Sequence, residues 1–515
     1  MPAVTGLPLE TPAVPGGGPA AEQRQGLQIV PAITIDEMLT DNAAGAQAVG
    51  VGAASAAPGG LIIGAPQGKS ADLITTVMPS LSLSDQTSRL KGGLFFAPMY
   101  QAYAANPQFD TYDFTVFGTG TAELIPEHLF LNAATSISRQ VINPFGAVTV
   151  PGQLSLANQT DLRTYTVSPS WQQSLGDFAT ANVQYTFGET STQILAPATE
   201  NQITGSLTSS RDFGRLNWVA TVQDTEINEG APPQAPGTVF GGVIVPGAIS
   251  NFADRSAQLQ TGYAITRSVQ FLSSAGYEQI VNGFLLGTEQ GPTGSVGLGI
   301  TGAYLKLDVS YEFHPYGNFL TLNGTYQVSQ RIQINATYGE TITTSQGLAL
   351  SSVGQLQLSP GGGLVNGQTA QPFNPTPSLT GINPGYGNAA FIDRGGQVTL
   401  AAQGVRNLYT LGVVQSDMAT QTPGFAEGSL GVIGGITRPI SPMTQLFSNV
   451  GYTHIIQRDP TILSEDYYTA SVGSNFMLAN DLTFTVSYDY FYVTSPFPGL
   501  ATSENAVMFA LTKTF

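Results

Sequence analysis

The sequence contains no cysteine among its 515 residues. That absence removes disulfide scaffolds, thiolate metal sites and thiol nucleophiles together. Charge is also scarce: 17 Lys+Arg and 34 Asp+Glu make up 10% of the chain, where soluble domains carry about 25%. An ordinary water-soluble enzyme does not have this composition. The net charge of −17 and the lack of Lys/Arg clusters argue against a nucleic-acid partner. There are only three histidines, His128, His314 and His454, too far apart in sequence for a metal-binding motif. No metal or cofactor is expected. No apolar run approaches the roughly 18 residues of a membrane-spanning helix. Residues 1–26 show neither the basic region nor the apolar core of an export signal, and they read as a flexible Pro/Gly-rich tail.

What the chain does have is alternation. In one segment Leu482, Phe484, Val486, Tyr488, Tyr490 and Tyr492 fall on one face, while Thr483, Thr485, Ser487 and Asp489 fall on the other. Leu320, Leu322, Tyr326 and Val328 oppose Thr321, Asn323, Thr325 and Gln327, and the pattern resumes after Ser329-Gln330 with Ile332, Ile334, Ala336 and Tyr338. Period-2 segments of this kind are half-buried strands. About 22 of them, within a range of about 18 to 22, run from residue 27 to 515 without a composition break, so a single domain is expected.

The connections alternate short and long. Ala479–Asp481, Ile440–Pro442 and Val405-Arg406 are short, whereas 43–71, 227–254 and 342–393 are long. A soluble sandwich, the competing fold, has no reason to keep this order. A closed antiparallel transmembrane β-barrel does, with short periplasmic turns, long extracellular loops and both termini periplasmic. The polar faces are Thr, Asn, Gln and Ser with few charges, which suits a watery lumen. Asn182, Gln184, Asn217, Gln223, Gln258, Gln260, Asn323, Gln327, Gln333, Asn335, Gln397 and Gln403 are the candidate lumen-lining residues. Tyr338, Tyr452, Tyr488, Tyr490, Tyr492, Phe187 and Tyr277 lie toward strand ends and read as an interfacial aromatic girdle. Glu189, Glu226, Glu278, Glu340, Glu465 and Asp466 also lie toward the outer ends and suggest an acidic outer mouth that favours cations. The last strand places Val507, Phe509, Leu511 and Phe515 on one face. Its aromatic end resembles the C-terminal signature of proteins inserted by the outer-membrane barrel assembly machinery, with Lys513 a departure from an apolar position.

The strand Leu27 to Asn42 (LQIVPAITIDEMLTDN), the strand Ala71 to Ser84 (ADLITTVMPSLSLS) and the hairpin Tyr326 to Ser345 (YQVSQRIQINATYGETITTS) together resemble a family of outer-membrane β-barrel porins. Its best-marked branch is associated with PEP-CTERM/exopolysaccharide systems. The resemblance implies a Gram-negative outer-membrane location and a role in polymer export with export partners; separately, the oily face suits contact with outer-membrane lipid, and the acidic mouth suits divalent-cation bridging to lipopolysaccharide. It carries over no catalytic or ligand residues.

The expected function is a porin-like channel for passive diffusion of small hydrophilic solutes. An exopolysaccharide secretion conduit is the alternative within transport, and a structural or adhesive surface barrel is the alternative outside it. No Gly-x-Ser-x-Gly elbow or His-Glu-x-x-His motif occurs, so no enzyme is expected. His454, with Asp459 and Asp466 further along the chain, occupies the position where a barrel hydrolase could keep its base; His128 and His314 read as turn residues. A 22-stranded barrel is wide. The 26-residue tail is too short for a globular plug, so loop 342–393 is expected to fold inward as the constriction.

Overall fold

The computed structural model of the chain describes the strands and most of the turns joining them. Residues 1–25, 44–69, 142–158, 193–196, 210–213, 230–238, 241–242, 245–250, 282–286, 345–346, 348–349, 351–355, 359–363, 367–390, 420–425, 458–464 and 495–500 lie outside the described residues. The expected tail 1–26 and much of the connections 43–71, 227–254 and 342–393 fall there.

In chain order the strands are β1 (Gln28–Thr40), β2 (Asp72–Gln86), β3 (Leu90–Tyr103), β4 (Thr111–Ile125), β5 (Leu129–Val141), β6 (Gln159–Leu175), β7 (Ala179–Ser191), β8 (Ala198–Ser209) and β9 (Leu216–Glu229). A small hairpin, β10 (Val239–Phe240) and β11 (Val243–Ile244), precedes β12 (Asn251–Ala264), β13 (Val269–Val281), β14 (Thr288–Thr301), β15 (Leu305–His314), β16 (Gly317–Ser329) and β17 (Ile332–Thr343). A second hairpin, β18 (Leu356–Leu358) and β19 (Leu364–Asn366), precedes β20 (Phe391–Gln403), β21 (Leu408–Ala419), β22 (Ala426–Ser441), β23 (Thr444–Gln457), β24 (Glu465–Ala479), β25 (Leu482–Thr494) and β26 (Thr502–Thr514).

Apart from the two hairpins, these strands make one 22-stranded antiparallel sheet. It closes because β1 pairs with β26 as well as with β2, in a register running from Ala32↔Thr514 to Thr40↔Ala506. The fold expected from alternation and loop order is the one observed. The period-2 pattern acts as expected too: mid-strand Ile203 and Val222 remain 55% and 61% exposed. The barrel therefore wears its apolar face outside, as a lipid-contacting wall must. Aromatic side chains form two outward belts. Tyr277, Tyr311, Tyr452, Tyr468 and Tyr488 lie toward the long-loop end, and Trp171, Phe178, Tyr263 and Tyr409 toward the short-turn end.

β14 begins at Thr288, well before the alternation becomes visible near Gly294. Gly291, Pro292 and Gly294 blank the apolar pattern, yet the backbone stays in register through Tyr277↔Pro292. At the C-terminus the Phe515 N–H donates to the Pro31 carbonyl at 2.9 Å. Lys513 pairs with Asp481 in the β24–β25 turn, and its ammonium lies 5.8 Å from the Phe515 ring centroid. That contact holds the Asp481 carboxyl below the usual carboxylate range. The unexpected lysine is thus neutralised at the edge of the apolar band.

Arginine at Ile203 should destabilise the barrel by about 2–4 kcal/mol, the range for a charge on the lipid face near the midplane. Arginine at the neighbouring inward Thr204 should cost far less. Urea unfolding of both variants in lipid vesicles measures the difference.

Candidate functional site

The inner wall follows from the strand period. Residues alternate with the outward apolar ones, so β7 turns Asn182 and Gln184 inward, and β9 does the same for Asn217 and Gln223. β12 turns Gln258 and Gln260 inward, β16 Asn323 and Gln327, β17 Gln333 and Asn335, and β20 Gln397 and Gln403. Gln184, Gln223 and Gln258 line a cavity of about 1100 Å³ that runs along the wall from β2 to β17. Thr, Ser and other amide residues make up the largest group of its remaining lining, beside glycine, alanine, apolar and charged residues. These groups bond one another: Gln184 and Ser168 both donate to Thr186 (3.2 and 2.9 Å), and Gln202 and Gln223 both donate to Thr225 (3.0 and 3.1 Å). On β16–β17, Thr325 and Gln333 converge on Asn335 at 3.1 and 2.9 Å. Gln270 reaches Asn217 at 3.1 Å across Gly262, where a Cβ would lie 2.0 Å from the Gln270 amide nitrogen. A side chain there would make the Gln270–Asn217 pair shift.

The inner wall also carries apolar clusters. Ile455, Tyr467, Phe491 and Val493 form a buried cluster on the inner faces of β23–β25. Met38, Ile74, Tyr103 and Ala506 form another where β1–β3 meet β26.

The carboxylates expected at the outer mouth divide between the two faces. Glu278 points inward and lines the cavity. Glu189, by contrast, accepts from the outward Tyr165 hydroxyl. Glu226 pairs with outward Arg255 at 2.6 Å, which also holds Asp224 at 3.1 Å. Glu340 accepts from Tyr338 at 2.5 Å and faces Arg394 at 3.7 Å. Asp466 accepts from Tyr452 at 2.9 Å and pairs with His454 at 2.8 Å. These four belong to the outside collar, not to the lumen rim. Glu465 opens β24 opposite Ile455; its side chain lies outside the described residues, as does Asp459.

One group of inward charges lies where β12, β13 and β15 reach the long-loop end. His314 Nδ1 lies 2.6 Å from Glu278 Oε2 and Nε2 lies 3.5 Å from Glu312 Oε2. Tyr316 donates to Glu278 Oε1 at 3.0 Å and stacks on His314 with centroids 5.1 Å apart. Burial, with the Glu278 charge beside it, raises the Tyr316 hydroxyl above its ordinary pKa, so it remains a donor. Glu200, Asp254, Glu278 and Glu312 all line the cavity, with Lys91 and His314 as its basic groups. His314 was expected only to mark a turn. Its partner Glu278 lies on another strand, and only the register Gly294↔Phe313 and Gly276↔Thr293 brings the two together. Among the described residues no cluster of three or more His, Asp or Glu is arranged to hold a metal ion. The His454–Asp466 pair faces outward, and among the described residues no hydroxyl nucleophile bonds His454 Nε2.

No protein-family model matches the chain, and no curated protein matches it. Solved structures do. The siderophore receptor PirA from Acinetobacter baumannii is 8% identical with a TM-score of 0.50, over 95% of this chain and 80% of that one. The FrpB iron transporter from Neisseria meningitidis is 10% identical with a TM-score of 0.53, over 94% and 81%. A mutant ferric enterobactin receptor (PfeA) from Pseudomonas aeruginosa, in complex with enterobactin, is 10% identical with a TM-score of 0.50, over 95% and 82%. At this identity the likeness is one of fold. The architecture is that of an outer-membrane β-barrel. The narrower exopolysaccharide-associated porin family gains no support from these matches.

Removing one member of a largely buried charge pair costs about 3–5 kcal/mol, because the other is left unpaired. His314→Ala should therefore lower stability by about 3 kcal/mol, and adding Glu278→Gln should restore part of it. Thermal unfolding of the single and double variants reads the coupling.

Proposed function

We propose that this protein is a transport barrel of the Gram-negative outer membrane that passes small hydrophilic solutes, cations in preference to anions, along one side of its lumen. The observation that carries this reading is the composition of the cavity wall. Amides and hydroxyls exchange hydrogen bonds with water and solute without holding either tightly. The inward carboxylates Glu200, Asp254, Glu278 and Glu312 outnumber Lys91 and His314 there, and a lined passage of one sign concentrates counter-ions. In this reading the short-turn end is periplasmic, Phe515 serves the assembly machinery, and the outer collar of paired carboxylates meets lipopolysaccharide. In this reading the protein is not an enzyme, since among the described residues no hydroxyl bonds His454 Nε2.

A second reading is ligand uptake instead of passive diffusion. The fold shared with a siderophore receptor, an iron transporter and a ferric enterobactin receptor favours it. An exopolysaccharide conduit and an adhesive barrel remain outcomes of the same test.

Planar-bilayer recording separates these readings. Passive diffusion predicts steady conductance with a cation-selective reversal potential, and Glu200→Gln with Glu312→Gln should move that potential toward zero. The selectivity should also weaken in high salt, since screening shortens the reach of the wall charges. Silence that ends only when a ligand or partner is added supports uptake or polymer export. Silence under every condition supports the adhesive barrel, and anion selectivity sinks the proposal.

A further inference from the structure

We propose that the short turns joining β16–β17, β20–β21 and β22–β23 form a docking arc for anionic phospholipid, in which arginines hold the headgroup phosphate and apolar turn residues enter the acyl boundary. The composition of these turns runs against that of the chain. Overall 34 acidic residues stand against 17 basic ones. Yet Ser329-Gln330-Arg331, Gly404-Val405-Arg406-Asn407 and Arg438-Pro439-Ile440-Ser441-Pro442-Met443 contain three arginines and no carboxylate. Elsewhere at the same end, Glu127, Asp177 and Asp481 sit in short turns.

Backbone pairing brings the three arginines onto one arc. The Gln403 N–H donates to the Arg331 carbonyl at 2.7 Å, which sets the β16–β17 turn beside the β20–β21 turn. β21 pairs with β22 from Leu408↔Thr437 onward, so Arg438 stands just beyond that pair, at the level of the Arg406 turn. All three arginines are exposed. Arg255 and Arg394 at the long-loop end and Lys513 at this end each face a carboxylate, whereas among the described residues Arg331, Arg406 and Arg438 have no ion pair. A free guanidinium matches phosphate with two parallel N–H···O bonds.

The apolar residues argue that the phosphate belongs to lipid. Val405 is 87% exposed, and Tyr304, Ile440 and Met443 in the same run of turns are half exposed or more. Next to them Tyr326, Val328, Tyr409, Ile436 and Leu446 carry the lipid-contacting wall down to the turns. The apolar surface thus continues past the last strand pairs, to the depth where acyl chains give way to headgroups. Arginine stems can lie along it with the charge in the headgroup layer. A soluble anion gains nothing from that continuity. The arc lies on the outer wall and is independent of what the lumen passes.

The chain contains no native cysteine, so Gln330→Cys carries a single fluorophore on the arc and Leu175→Cys one on β6, away from it. In phosphatidylcholine vesicles doped with spin-labelled lipid, spin-labelled phosphatidylglycerol should quench the reporter at 330 several-fold more than spin-labelled phosphatidylcholine. At 175 the two lipids should quench equally. The preference at 330 should shrink as salt is raised. Arg331→Gln, Arg406→Gln and Arg438→Gln together should abolish it, with assembly judged by heat-shifted gel mobility; if the triple variant misassembles, each single variant should lower it in part. Equal quenching by the two lipids at 330, or a preference that survives every glutamine variant, overturns the proposal. Protection of the reporter by added polyglutamate without any lipid preference also overturns it and assigns the arc to an acidic protein.

Discussion

Everything in this molecule depends on completing a hydrogen-bonded circle in a medium that offers no water. Each backbone N–H or carbonyl left unpaired in hydrocarbon costs several kcal/mol, so β26 must find β1 and every strand between must keep its register. The irregularities respect that demand. The register shifts at Glu123/Ile125, Gln327/Ser329, Pro439/Ser441 and Met477/Ala479 all sit beside turns of the short-turn end, not in mid-strand. Bulges there bend a strand where water can still reach the freed groups.

Closure also decides what the interior can be. A strand that must show lipid an apolar face has only its alternate residues left for the lumen, and here those are mostly neutral hydrogen-bonding groups tied in short ladders. The inner wall is mixed: apolar clusters lie on β23–β25, where β1–β3 meet β26, and around Ile227, Phe252 and Ile280, while amides and hydroxyls line much of the rest. On β13 and β15, His314 and Tyr316 hold Glu278 in place.

Much of this was legible in the sequence because period 2 is a local signal. The faces of β25, the tight turns and the inward amides of β7, β9 and β12 can all be read from neighbouring residues. The acidic collar was grouped by strand end, whereas parity decides its fate: Glu189 shares the face of Val183 and Tyr185, and Glu226 that of Val222. That signal was present. The Glu278–His314 contact was not readable, since it needs the register of β13, β14 and β15 across glycines and a proline that carry no pattern. Nor was the packing of Ile342 against the inward Ile227, Phe252 and Ile280, since Ile342 has the strand parity of outward Tyr338.

One earlier detail bears on how the mouth is approached. Between β15 and β16 the long-loop end is closed by Pro315 and Tyr316 alone, and β15 is 10 residues long where β14 and β16 have 14 and 13. The rim dips at this point: beside the inward Glu278 and Glu312 only a two-residue turn stands above the ends of β15 and β16.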